Sequence, residues 1–227
     1  MRLALVVALV AQLLWHAVEP PPSPRREAMP PAPPDAVLRL AALGEPSTLA
    51  ASGLLWLQFH DEQPGLDISW RDLDYSTLRA WLERWQALVP NSDYPQMLAV
   101  RIYGQVADPA RQRIMLDFVR ASFEQRPRER WRWLAEAAIT ARHRLDDLPL
   151  ALEYARLLTE RTRAGEIPHW ARDLQIFILE DMGELEAARV LIGGLLASGE
   201  IDDSNEIRFL ERKLTALERR QEEHSGK

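Results

Sequence analysis

Four apolar quartets recur along this chain at a nearly fixed interval, and that recurrence limits the fold more than any other feature. Leu78, Trp81, Leu82 and Trp85 follow the i, i+3, i+4, i+7 spacing of one helical face, and so do Met115, Phe118, Val119 and Ser122. Ala151, Tyr154, Ala155 and Leu158 repeat the pattern, as do Ala188, Leu191, Ile192 and Leu195. Their first members lie 37, 36 and 37 residues apart. Pro90 and Pro127, each closing one of these segments, are also 37 apart, so the register does not rest on apolar matching alone. A unit of that length holds two helices and too little core to bury one face by itself, so such units are stable only when stacked.

From Asp35 onward the apolar spacing is helical with almost no β alternation, which predicts an all-α body. Gly44, Pro64-Gly65, Pro90, Asp108-Pro109, Pro127, Pro168, Gly183 and Gly199 supply the stops between helices. One corner, "FILEDMGELEAARVL", gathers Glu180, Asp181 and Glu184 around Gly183. The same corner stands 37 residues earlier as "RLDDLPLALEYA", where His143, Asp146 and Asp147 meet. Paired carboxylates can hold a hard cation or exchange protons. At helix boundaries they also cap free backbone N–H groups and suit the helix dipole, which is the better reading here. Gly193-Gly194, inside an apolar helix, predict a close approach of backbones.

The stretches "STLRAWLERWQALVPNSDYP", "RWLAEAAITARHRLDDLPLALEYARLL" and "DMGELEAARVLIGGLL" resemble degenerate tetratricopeptide repeats. Gly183, Leu185 and Ala188 match that family's turn glycine, large residue and small second-helix residue, and Ala151 holds the small position one repeat earlier. The period is 36–37 rather than 34, and Leu78 and Met115 are bulky where the family is small. The resemblance spans roughly residues 48–200 and implies a right-handed α-solenoid of helix-turn-helix units. The whole chain also resembles a group of membrane-anchored bacterial proteins, a resemblance that brings no activity with it. Asp203 and Glu206 form a capping-box pattern ahead of a last helix with one apolar stripe, Ile207, Leu210, Leu214 and Leu217, suited to close the stack.

The N-terminus reads "MRLALVVALVAQLLWHAVEPPPSP": a basic residue, then an apolar stretch from Leu3 to Val18. No small-residue cleavage site stands out, so residues 1–19 are read as a signal anchor or transmembrane helix, with cleavage after export as the alternative. Residues 20–34 hold eight prolines and form a semi-rigid linker. The helical domain follows over 35–222, and 223–227 is a disordered tail. The expected address is the inner membrane of a bacterial cell, single-pass, with the body in the periplasm.

Composition removes several chemistries. With no cysteine there is no disulfide, thiolate metal site or cysteine nucleophile. The net charge of −6, with lysine only at 213 and 227, argues against nucleic acid as a partner. There is no phosphate loop, nucleophile elbow or paired-histidine motif, so no cofactor or metal is expected. The candidate site is aromatic and acidic. Trp133 and Trp170 lie one period apart in the first helices of successive repeats, and Glu136 with Asp173, Thr140 with Phe177, and His143 with Glu180 keep the same offset. In the resembled fold such positions line the concave groove and bind a protein or peptide; the alternative for the tryptophans is packing between repeats. These features describe a non-enzymatic membrane-anchored scaffold. A second reading is an enzyme, of hydrolase type, or an enzyme subunit using the long 60–74 loop, with His60, Asp61, Arg71 and Asp72. A third makes the helical body a homo-oligomerisation element.

Overall fold

The computed structural model describes residues 28–59, 72–199 and 201–225, with isolated positions 9, 11 and 12 ahead of them. The apolar N-terminal stretch and residues 60–71 of the long loop, including His60, Asp61 and Arg71, lie outside the described residues. Among the described residues no helix is long and apolar enough to cross a membrane.

The described body is all-helical, with ten helices: α1 Asp35–Ala41, α2 Pro46–Phe59, α3 Tyr75–Leu88, α4 Tyr94–Arg101 and α5 Pro109–Gln125. α6 Pro127–His143, α7 Leu148–Arg161, α8 His169–Asp181, α9 Leu185–Ser198 and α10 Ser204–Ser225 complete it. The last helix thus takes in residues 223–225, which the sequence assigns to the tail.

Local chemistry sets the boundaries. Asp74, Asp108 and Asp147 each accept backbone N–H groups at the start of α3, α5 and α7, from Ser76, from Ala110 and Arg111, and from Leu150. Proline stands in the first turn of α4, α5, α6 and α7, where its missing N–H leaves no helical bond unmade. At the 180–184 corner Gly183 takes a φ of +75°, while its N–H reaches Glu180 O and that of Glu184 reaches Leu179 O at 2.9 Å. This is a glycine-closed helix end of Schellman type. One period earlier Asp146 adopts φ +52°, so the left-handed corner recurs where the sequence offers no glycine.

From α2 onward each helix packs on the next, and the α1–α3, α3–α5, α4–α6 and α6–α8 pairs add lateral contacts. The apolar quartets fall on α3, α5, α7 and α9 and are buried, apart from Leu191 and Leu195, which are half-buried near the C-terminal end. Fully burying each large member is worth about 1.5–3 kcal/mol, and together they form one core running the length of the body. Trp81 and Trp85 stack at 5.4 Å within it. Gly193 and Gly194 face open space rather than a close backbone.

Side-chain bonds between units step one period at a time. Gln58 donates to Tyr94 Oη across 36 residues at 2.9 Å, and Arg126 to Pro90 O across 36 at 2.7 Å. Arg101 pairs with Glu136 across 35, and Arg142 with Asp181 across 39. Arg130, almost fully buried, donates to Ser122 O and Oγ at 3.0 Å and to Pro90 O at 2.9 Å, tying the α3–α4 turn to the α5–α6 corner.

Candidate functional site

The eight candidate residues lie on two first helices: Trp133, Glu136, Thr140 and His143 on α6, and Trp170, Asp173, Phe177 and Glu180 on α8. Their equivalence in sequence does not carry over into equivalent surroundings. Trp133 is 6% exposed, because the Arg101 guanidinium from α4 lies over its ring at 5.4 Å. The same arginine donates through Nε to Glu136 Oε2 at 2.9 Å, so this carboxylate is already neutralised from inside the fold. Thr140 is buried and donates to Glu136 O, the usual back-bond of a helical threonine. His143 stands exposed in the last turn of α6.

On α8 the order is reversed. Trp170 is 47% exposed and meets Trp131 of α6 edge to face at 5.7 Å. The residues further along are covered by α10. Phe177 packs on Phe209 at 6.2 Å with Lys213 Nζ 4.9 Å above its ring, and Lys213 also reaches Glu180 Oε1 at 2.7 Å. Asp181, the other acid of the corner, pairs with Arg142 at 2.5 Å. Glu180 and Asp181 therefore bind neighbouring cations, whereas Asp147 alone among the corner carboxylates caps a helix with its side chain; Asp147 also pairs with Arg113.

Asp173 has the most unusual surroundings. It is 5% exposed and faces Glu206 of α10, whose Oε1 is enclosed without a hydrogen-bond donor. Burial, then the hydrogen bond to Glu206 and the charge of that residue, push the Asp173 carboxyl up to about 8, against the opposing pull of Arg172. Asp173 therefore keeps its proton at neutral pH. His169, Arg172, Leu195 and Ile201 line a cavity of about 20 Å³ beside it, the size of one water. Glu206 is thus turned inward rather than completing the capping box, while Asp203 accepts from Asn205 N–H at 2.8 Å as expected.

A wider cleft of about 520 Å³ opens between the first half of α2 and the α3–α4 turn, lined by Pro46, Ala50, Leu54, Val89 and Tyr94 among others. Among the described residues no charged side chain and no histidine borders it. Of the long loop, Asp72 and Asp74 are described, and Asp74 is the α3 cap: hydrogen bonds from Ser76 and Thr77 hold its carboxyl below the usual range. Among the described residues no three His, Asp or Glu side chains gather to hold a metal ion.

Sequence offsets of one period missed Arg101, Trp131, Glu206 and Lys213. Residues that meet across neighbouring first helices are staggered by 35 and 39 positions in the Arg101–Glu136 and Trp131–Trp170 pairs, two either side of the 37-residue period, so a search at those two offsets would have found them. Comparison with known protein families, with curated proteins and with solved structures finds no match.

Proposed function

We propose that this chain is a non-enzymatic scaffold, held in the bacterial inner membrane by its N-terminal apolar segment, with a periplasmic body that binds a protein or peptide. The body is read as a right-handed solenoid of about four tetratricopeptide-like units with α10 as its closing helix. The recurring left-handed corner at Asp146 and Gly183 and the one-period ladder of side-chain bonds support that reading.

The observation that carries the binding role is Trp170, large, about half exposed and braced by Trp131. Aromatic side chains held rigid at low entropic cost are the anchors most often found at interfaces. The candidate acids on the same two helices, Glu136 and Glu180, are already paired within the fold, so the favoured ligand offers an apolar anchor rather than a basic tail. Pull-down of the full chain from detergent-solubilised membranes, wild type against Trp170→Ala, tests the proposal. Loss of a co-purifying protein supports it; an unchanged set of co-purifying proteins in the variant overturns it.

A further inference from the structure

Large apolar side chains are exposed unevenly along this body. Of the ten such residues described between positions 37 and 190, six fall between 37 and 59: Val37, Leu40, Leu43, Leu55, Trp56 and Phe59. The other four are spread over α4 to α9. Scattered single exposures are ordinary, and a cluster is not.

Within the cluster the α1 residues stand apart. Leu40 is 77% exposed and Leu43 is 89% exposed, while Leu38 is buried and Ala42 closes the helix against the core. Leu43 also holds a φ of +47°, followed by Gly44 at +90°. A left-handed conformation in a non-glycine residue is strained, and asparagine or glycine would relieve it. Here the strained residue is leucine, and among the described residues its side chain packs on nothing. A leucine at this position adds no packing to the described core.

The chain itself indicates what meets it. The spacer does not hang free at its distal end: Pro30 O accepts from Trp81 Nε1 at 2.8 Å, and Asp35 pairs with Arg84 at 3.0 Å, so residues 30–35 are laid against α3. Only the ten residues 19–28 separate the end of the apolar stretch at Val18 from Met29, which already packs on the core. Fully extended, they reach at most about 35 Å. Three aliphatic side chains on a seven-residue helix and its turn are few for a protein interface, which ordinarily engages about 20–30 residues a side. A bilayer surface accepts any apolar projection, and Arg39, exposed on the same helix, suits anionic headgroups.

We infer that α1 and its turn seat the body on the membrane, with Val37, Leu40 and Leu43 entering the lipid interface beside the anchor. The inference rests on the anchor reading above, and its occupant is the lipid surface rather than a protein or a second copy. The body is then held at a fixed orientation to the bilayer, instead of swinging on a stalk.

The absence of cysteine makes a direct test available. Single-cysteine variants Leu40→Cys, Leu43→Cys and, as a distant exposed control on α9, Val190→Cys carry an environment-sensitive fluorophore. The labelled full chain is reconstituted into phosphatidylcholine–phosphatidylglycerol vesicles with quencher-bearing lipids and recovered by flotation. The expected result is blue-shifted emission and strong lipid quenching at 40 and 43, with little at 190. Floated protein with no more quenching at 40 and 43 than at 190 overturns the seating and leaves the anchor reading standing. Protein that fails to float overturns both. A blue shift in detergent that depends on protein concentration, without lipid quenching, assigns the face to a second copy and overturns the inference. Leu43→Asn, which relieves the backbone strain, is expected to keep or raise the melting temperature of the chain in detergent while weakening quenching at position 40.

Discussion

Replacing Asp173 by asparagine should make this protein more stable at neutral and alkaline pH, although it removes a buried hydrogen-bonding carboxyl. Asp173 and Glu206 face each other and, among the described residues, no cation is bonded to either, so both carboxylates would be acceptors with nothing to accept. The fold therefore keeps a proton on a group whose ordinary value is 3.8 and whose value here is about 8. Below about pH 4 folded and unfolded chains both carry that proton, and the pair costs nothing. Between pH 4 and about 8 only the unfolded chain releases it, so stability falls as pH rises through this window and levels off above it. At about 1.4 kcal/mol per pH unit, the loss at pH 7 is at most about 4 kcal/mol. Asparagine keeps the shape, needs no proton and offers an NH₂ to Glu206. Asp173→Asn should thus raise the melting temperature at pH 8 by up to order 10 °C and flatten the decline between pH 5 and pH 8. Far-UV circular dichroism melts of both proteins across this range measure it. The other charged or titratable groups around the pair, Arg172 and His169 on α8, are common to both proteins, so they cancel in the comparison. A variant that melts below the wild type at pH 8, or keeps the same pH slope, would refute the argument that Asp173 is held protonated.

Four further substitutions separate packing from surface roles. Trp133→Ala should destabilise by about 3–5 kcal/mol in urea unfolding, whereas Trp170→Ala should cost under about 1 kcal/mol, because one ring is enclosed beneath Arg101 and the other is half in solvent. Gly53→Ala should destabilise by about 1–3 kcal/mol despite alanine's higher helix propensity, since a Cβ there would meet the Trp85 ring at 2.1–2.6 Å. Near-UV dichroism of the Trp81–Trp85 stack should change with it. Arg130→Met should cost about 2–3 kcal/mol in the same unfolding assay, because Ser122 O loses its buried charged donor and Pro90 O is left with Arg126 alone.

The helices and their register were open to sequence reasoning because both depend on local patterns. The quartets from Leu78 to Leu195 and the corners at Asp147 and Gly183 are set by residues within one or two turns of each other. The surroundings of the candidate site were not open in the same way. Trp133 and Trp170 share an offset and a residue type, yet Arg101 reaches over one while the other stays half exposed. That difference is made by a side chain 32 positions upstream on α4, which repeat matching cannot see. Glu206 is the clearest case. Its spacing from Asp203 fits a capping box, but the docking of α10 on α8 turns it toward Asp173, and a local motif gives way to a tertiary contact.

The one-period ladder has a consequence for how the molecule comes apart. Because the main packing of each described helix is with near neighbours, the loss of one unit chiefly affects the next. α10 can therefore peel from α8 while α5, α6 and α7 stay folded, and amide exchange should be fastest at the two ends and slowest through the middle helices. Opening by fraying, rather than all at once, would uncover the Phe177–Glu180 face without unfolding the helices that present it.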